Sequence, residues 1–226
     1  MKVDGKEKPT GLWLSEFTKP YYTLKDAGFD IVLASPKGGK PPIDPRSQQG
    51  RKGSEKEFND RFMADKKLQT KFEKTKSLSD LKPSDFKAIV FPGGHGPMFD
   101  LAIDKTSQKF VSSIYESGGV VGALCHGPAA LVNVKLSTGK YLIDGKKVTA
   151  FTDSEERAVN LDKAMPFLLE TKMRERGSQF FAADKNFGPK VIQDGRLITG
   201  QNPASALEFG KSLKKLIDQK SMPKKR

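Results

Sequence analysis

The sequence has little of what disulfide-rich, metal-binding or membrane-spanning proteins need. Among 226 residues there are one cysteine and two histidines. A single cysteine excludes an internal disulfide framework and fits a reducing compartment, and this set of side chains offers few conventional metal ligands. Apolar runs fall far short of the roughly 18 residues that span a bilayer, and residues 1–9 lack the apolar core of a signal peptide. We therefore expect a cytoplasmic protein without a metal or a membrane partner.

The chain is also poor in acidic residues relative to basic ones. It has 40 Lys and Arg against 27 Asp and Glu, a formal net charge of +13. Such an excess raises nucleic acid as a partner. The lysines, however, are scattered among acidic residues, and the one uniform basic cluster is residues 224–226. This pattern favours a solvated basic surface, and nucleic acid is not expected as a partner.

Short apolar runs that end in Gly- or Pro-rich turns alternate with helix-length amphipathic stretches. Strands are predicted at residues 30–34, 88–91, 120–124, 148–151 and 196–199. Helices are predicted at residues 16–27 and 107–117, and from residue 202 towards 216. The alternation predicts an α/β fold with a flavodoxin-like, doubly wound, mostly parallel sheet and helices on both faces. In such folds, functional sites gather at the carboxyl ends of the strands.

Residues 51–80 break this alternation. They are dense in charge and carry five large apolar residues at roughly helical spacing: Phe58, Phe62, Met63, Leu68 and Phe72. We interpret the segment as one or two inserted helices with a buried stripe, which would form a lid or cap if they cover the active edge of the sheet. Residues 166–181 predict a further helix and a turn. Residues 1–226 are thus expected to form a single domain with one helical insertion.

The main chemical signal follows the predicted strand at residues 120–124. Cys125 and His126 come directly after this strand, at a turn of small residues. A cysteine on a sharp strand-to-helix turn lies at the top of the sheet, beside the positive end of the helix, where the thiolate is favoured. Cys125 is therefore predicted to be a nucleophile. His126 can be its acid/base partner only if the turn between them is irregular, which the flanking glycines permit.

A carboxylate is expected to orient His126 from the turn after the next strand. Three acids compete there, Asp153, Glu155 and Glu156, and periodicity alone does not choose among them. Upstream, the predicted strand at residues 88–91 runs into a glycine-rich turn.

The bare amides of that turn, at Gly93 and Gly94, are suited to stabilise an oxyanion near Cys125. The segment lacks the Gly-Lys-Ser/Thr ending of a P-loop, so nucleotide binding is discounted. His95 follows these glycines. For His95 a structural or rim position is favoured over a catalytic one.

Several blocks together resemble the glutathione-independent glyoxalase (glyoxalase III) and heat-shock chaperone branch of the PfpI-like superfamily, whose fold is related to class I glutamine amidotransferases. The blocks lie at residues 11–17, 34–39, 91–98, 123–128 and 199–205. Members of this family begin with a hydrophobic strand before the first block, where here only residues 1–9 precede it. We therefore expect the sheet to lack its first strand and to leave backbone groups unpaired there.

The resemblance implies a role for each candidate site residue. Cys125 would be the nucleophile, His126 its partner and Glu156 the third member of a Cys-His-Glu triad. Glu16 would be a buried acid beside the thiol. The amides of His126 and of Gly93 or Gly94 would hold the oxyanion.

The implied reaction is that of a lyase of the D-lactate dehydratase type, which protects against carbonyl stress. The Cys125 thiolate adds to the aldehyde of methylglyoxal to give a hemithioacetal, and an enediol and hydrolysis then lead to D-lactate. A small aldehyde is thus the expected partner, and no cofactor is needed.

Other functions stay open at this stage. Related proteins are described as stress chaperones (holdases) and as protein deglycases, and a chaperone would use exposed apolar surface on residues 51–80. A cysteine hydrolase of the PfpI peptidase type would use the same triad on amides. Dimers are common in such proteins, so a homodimer is possible.

Overall fold

The computed structural model describes residues 1–49 and 52–221, so Arg51 and the basic cluster 224–226 lie outside the described residues. The α-helices are α1 (Leu14–Lys25), α2 (Gly53–Ala64), α3 (Lys66–Glu73), α4 (Lys105–Glu116), α5 (Asp153–Ala158), α6 (Leu169–Glu175) and α7 (Ala206–Ser221). The strands are β1 (Lys2–Val3), β2 (Lys6–Glu7), β3 (Ala34–Ser35), β4 (Lys76–Ser77), β5 (Ala88–Phe91), β6 (Val120–Leu124), β7 (Lys147–Val148), β8 (Gln179–Phe180), β9 (Val191–Asp194) and β10 (Leu197–Gly200). None of the helices in the described ranges is long and apolar enough to cross a bilayer.

The central sheet has the strand order β5-β6-β10-β9. β6 pairs in parallel with β5 and β10, and β9 pairs antiparallel to β10. Successive residues of β6 point to opposite faces. Val121 and Ala123 pack in the same cluster as Val111 of α4, whereas Val120 and Leu124 pack with Phe209 and other residues of α7. Helices therefore cover both faces, which confirms the predicted doubly wound, mostly parallel α/β fold.

Two predicted strands are much shorter than expected. Of residues 30–34 only the last belongs to a strand, β3, which pairs with β4 outside the central sheet. Of residues 148–151 only the first does, in β7, which pairs with β8. An apolar run becomes a strand only where a neighbouring chain completes its hydrogen bonds. In the described part of the chain β5 pairs with β6 alone and no strand lies along its other edge, so residues 30–33 have no sheet to join.

The helices predicted within residues 51–80 are α2 and α3. Three of the five apolar side chains, Phe62, Leu68 and Phe72, are buried in one cluster with residues of α1. Polar contacts join the same elements, since the Ser15 hydroxyl donates to Glu55 at 3.3 Å and the Thr18 hydroxyl donates to Asn59 at 3.4 Å. The inserted helices therefore support the helix that carries Glu16.

Candidate active site

Cys125 lies on a strained turn at the carboxyl end of β6. Its φ of 59° is in the left-handed region, which disfavours side chains with a Cβ by about 1–2 kcal/mol and is often found at functional sites. The backbone holds it there: the Cys125 N–H donates to Gly200 O at 2.8 Å, and its carbonyl accepts from Phe151 N at 3.0 Å. The predicted sharp turn is confirmed. The helix after it is only a four-residue 3-10 turn, Gly127–Ala130, instead of the α-helix start that was expected.

The thiol of Cys125 is buried and protonated, which corrects the expectation of a thiolate. Cys125 is only 4% exposed to solvent. Burial raises the pKa of Cys125 well above its usual range, and the nearby Glu16 carboxyl raises it further. The Gly94 N–H, which points at the sulfur, opposes the shift. The effect of desolvation on the pKa is larger than that of the Gly94 N–H and of the short 3-10 turn, so the thiol form of Cys125 is favoured in the free protein.

Glu16 lies beside this thiol, in the position that the family resemblance implies. It is 1% exposed on α1, and a Cβ at Gly93 would overlap both its carboxylate and the Cβ of Cys125. Among the described residues neither Glu16 oxygen has a hydrogen-bond partner of good geometry, although the Cys125 thiol and the Gly93 N–H are close enough to influence it. Burial raises the pKa of Glu16 to about 8. Its carboxyl is therefore largely neutral at pH 7.

His126 connects Cys125 to one of the three competing acids. Its Nδ1 lies 3.3 Å from Cys125 Sγ, and its Nε2 lies 2.6 Å from Glu156 Oε2. The irregular turn that His126 needed is thus present. The other two acids point elsewhere: Asp153 accepts from Thr171, and Glu155 accepts from groups that do not include His126. Burial lowers the pKa of His126 to about 4, so the ring is neutral at pH 7 and able to accept a proton.

His95 is buried in the site, so of the two expected positions, structural or rim, the rim position is wrong. It is 5% exposed, and its Nε2 lies 2.8 Å from Glu156 Oε1. Arg46 Nη2 donates to His95 Nδ1 at 3.1 Å, and Arg46 is held by Asp44. Sequence reasoning missed this part of the site. The one available signal was that His95 follows the glycine turn, because Asp44 and Arg46 belong to no recognisable motif.

Three side chains of the site have the composition of a metal centre. One donor atom from each of His95, His126 and Glu156 lies within 4.8 Å of the others. Both imidazole Nε2 atoms, however, are hydrogen-bond partners of the Glu156 carboxylate. An ion placed here would displace both bonds. The arrangement therefore fits an acid/base relay better than a resident metal.

Aromatic side chains form the wall beside the two histidines. The Phe151 ring lies 4.6 Å from the His126 ring, and the Phe187 ring lies 6.2 Å from that of Phe151. Phe187 has a φ of 63° and is 46% exposed. Its strained backbone is held because its N–H donates to the fully buried Glu155 carboxylate at 2.7 Å. The apolar wall thus reaches from the buried histidines to the surface.

The glycine turn after β5 approaches the site closely because it has no side chains. Gly94 has a φ of 95°, and a Cβ there would overlap the backbone of Gly11 and Trp13. This packing places the Gly94 N–H beside the Cys125 sulfur. The structure therefore brings together the side chains predicted from the sequence, Cys125, His126, Glu156 and Glu16, and places the glycine turn against them. The catalytic roles of these residues stay a prediction.

Comparison with known proteins places this chain in a family. The model of the DJ-1/PfpI family matches residues 10–216. Glyoxalase 3 of Candida albicans is 32% identical over 91% of this chain and 88% of its own length. The crystal structure of glyoxalase III from the same organism has a TM-score of 0.85 at 30% identity, covering 96% of this chain and 91% of that one. The Rapid Encystment Protein 24 KDa of Francisella tularensis has a TM-score of 0.88 at 40% identity, covering 94% and 92%. The chain therefore belongs to the DJ-1/PfpI family.

Proposed function

We propose that this protein is an enzyme, a glutathione-independent glyoxalase that converts methylglyoxal to D-lactate. The observation that carries the proposal is the neutral, buried Glu16 carboxyl beside the Cys125 thiol. Such a reaction moves protons between two adjacent carbons and their oxygens, which needs an acid that holds its proton at neutral pH close to the nucleophile. Relatives that are named glutathione-independent glyoxalases support the assignment.

The first step joins Cys125 to the substrate. His126 Nδ1, 3.3 Å from the sulfur, takes the thiol proton as the sulfur attacks the aldehyde carbon. The aldehyde oxygen becomes an oxyanion beside the Gly94 N–H and then receives that proton, which gives a hemithioacetal. Because His126 is neutral at pH 7, it is free to act as the base. Glu156 stabilises the imidazolium that forms transiently.

The second stage is an internal oxidation and reduction. His126, neutral again, removes the hydrogen of the former aldehyde carbon, and Glu16 gives its proton to the neighbouring ketone oxygen, forming an enediol. His126 returns its proton to the former ketone carbon, and Glu16 takes back a proton from the hydroxyl on the former aldehyde carbon, which produces a lactoyl thioester and regenerates both residues. Water then breaks the carbon–sulfur bond, releasing lactate and the Cys125 thiol. The aldehyde carbon is oxidised and the ketone carbon is reduced, so no redox cofactor enters the balance.

The burial of the site favours a small substrate over the alternatives. Cys125 is 4% exposed, which gives an extended polypeptide little access and argues against a peptidase. The chaperone alternative needs exposed apolar surface on the inserted helices. There Phe62 and Phe72 are buried and Phe58 is half-buried, and Met63, 56% exposed, is the exposed large hydrophobic residue of the described insert. These observations rank an enzyme of small aldehydes first.

The test is formation of D-lactate from methylglyoxal without glutathione. The parent is compared with Cys125→Ala and Glu156→Ala after circular dichroism has verified that each is folded. We expect loss of turnover in both variants. Asp153→Asn is the matched control, since it changes a neighbouring acid that does not contact His126, and it should keep turnover. No turnover in a folded parent would refute the proposal.

A further inference from the structure

The Glu156 carboxylate has two oxygens, and the proposed triad uses only one. Oε2 accepts from His126 Nε2 at 2.6 Å. Oε1 lies 2.8 Å from Nε2 of His95, a residue that no proposed step uses. All three side chains are at most 7% exposed. A buried histidine in contact with the second oxygen is in a position to control both the charge and the orientation of the carboxylate.

Arg46 determines which nitrogen of His95 carries the proton. A guanidinium only donates hydrogen bonds, and Arg46 Nη2 lies 3.1 Å from His95 Nδ1. Nδ1 must therefore accept, so the proton of the neutral ring is on Nε2 and faces Glu156. Arg46 is fixed by a two-point ion pair with Asp44 at 3.0 and 2.6 Å. Asp44 is fully buried and also accepts from Thr10 at 3.0 Å.

The direction of each hydrogen bond then follows along the chain of side chains. His95 donates to one oxygen of Glu156, so the carboxylate is an acceptor on that side. The ionised carboxylate also accepts on its other side, which places the proton of His126 on Nε2. Nδ1 of His126 is left unprotonated, and this atom faces the Cys125 sulfur at 3.3 Å. Arg46 thus fixes the tautomer of His95, and the Glu156 carboxylate between the two rings fixes that of His126.

We propose that His95, held by Arg46, is a positioning residue that keeps Glu156 ionised and aligned with His126. This inference rests on the proposed function for its kinetic consequence, but its effect on the thiol is independent of any substrate. Glu156 is faced by His126 from the turn after β6 and by His95 from the turn after β5. The charged groups behind them are Arg46 and Asp44, in the segment before α2. Removing the His95 donor should raise the pKa of the Glu156 carboxyl from its low value of about 2 and loosen the alignment of the carboxylate with His126, which weakens His126 as a base.

Two substitutions separate positioning from packing. His95→Leu fills a similar volume without a donor, whereas His95→Gln has an amide nitrogen that reaches about as far as Nε2 and still donates to Glu156. We expect His95→Leu to lower kcat about 10- to 100-fold, the effect of one charge-assisted hydrogen bond, with KM within about twofold. The acid limb of its pH profile should move to higher pH, since the carboxyl protonates earlier. His95→Gln should restore kcat to within about threefold of the parent.

Two further measurements need no substrate. Because Cys125 is the one thiol, iodoacetamide reports its reactivity directly, and His95→Leu should react about tenfold more slowly at pH 7 while His95→Gln matches the parent. Imidazole ¹⁵N shifts of the parent should show that Nδ1 of each ring is unprotonated and that Nε2 carries the proton. A proton on His95 Nδ1 would overturn the proposal. Equal losses of kcat in His95→Leu and His95→Gln, accompanied by equal losses of stability, would also overturn it. A His95→Leu protein that reacts with iodoacetamide at the rate of the parent would do the same. A parent without lactate formation but with these alkylation results would refute only the proposed function.

Discussion

Replacement of Glu16 by glutamine tests whether this buried carboxyl is protonated in the folded protein. Burial raises the pKa of Glu16 from 4.5 to about 8. Between these pH values the folded chain holds a proton that the unfolded chain has released. The free energy of unfolding therefore falls as the pH rises through this window. Below 4.5 the carboxyl is protonated in both states, and the penalty is absent.

The size of the effect follows from the same shift. Each pH unit in the window costs about 1.4 kcal/mol, so at pH 7 the penalty is about 3 kcal/mol. Glutamine has nearly the shape of protonated Glu16 and does not ionise. We expect Glu16→Gln to be more stable than the parent by up to about 3 kcal/mol at pH 7 and hardly different at pH 4.5. For a domain of this size, that gain raises Tm by about 6–12 °C at pH 7. Turnover should fall at the same time, because the proton donor is lost.

Urea denaturation at pH 4.5, 6 and 7.5 measures this difference directly. Glu57→Gln is the matched control, because Glu57 is exposed on α2, and it should leave the pH dependence of the parent unchanged. The reasoning is refuted if Glu16→Gln and the parent differ by the same amount at all three pH values. That result would mean that Glu16 is ionised in the folded protein, with a partner that stabilises its charge.

Three further predictions test the architecture around the site. Glu155→Ala removes the buried carboxylate that accepts a hydrogen bond from the Phe187 N–H. It should lower the free energy of unfolding by about 3 kcal/mol and accelerate hydrogen exchange at the Phe187 amide. Slow exchange at that amide would contradict this role. Cys125→Gly and Cys125→Ala should both lose turnover. In urea denaturation the glycine variant should be about 1 kcal/mol more stable than the alanine variant, because the φ of 59° suits glycine. Equal stabilities of the two variants would argue against backbone strain at this position. Phe62→Ala should lower the free energy of unfolding by about 3–5 kcal/mol in thermal or urea denaturation, whereas substitution of the exposed Met63 by Ala should change it by no more than about 0.5 kcal/mol. Similar losses of stability in both variants would mean that Phe62 does not lie on the buried face of α2.

The sequence predicted those parts of the fold whose signals are local. The helix after residues 11–13, the strand at residues 120–124 and the turn at Cys125 each follow from apolar periodicity and punctuating glycines. The shortness of β3 and β7 could not be predicted in this way. An apolar run indicates that a segment is buried, but it does not indicate whether another strand lies beside it. The antiparallel β9 was missed for a similar reason. Its residues alternate weakly, and its pairing is fixed by the turn into β10.

The candidate site could be predicted where one segment supplies adjacent residues. Cys125 and His126 are neighbours in sequence, and Glu156 was singled out from three acids only by resemblance. The ionisation of the site was predicted wrongly for Cys125, because its protonation depends on complete burial by distant segments. Asp44 and Arg46 could not be found, since their part in the site exists only after the chain has brought them against His95.

The glycine turn after β5 makes one side of the site inaccessible to side-chain mutagenesis. The donor beside the Cys125 sulfur is the backbone N–H of Gly94, and no change of side chain removes it. A substitution at Gly93 or Gly94 instead inserts a Cβ into space already filled by Glu16 or by the backbone of Gly11. An alanine scan would therefore record a steric defect and attribute it to catalysis. The contribution of this donor is measurable only by replacing the amide at position 94 with an ester, which deletes the hydrogen and keeps the shape of the turn.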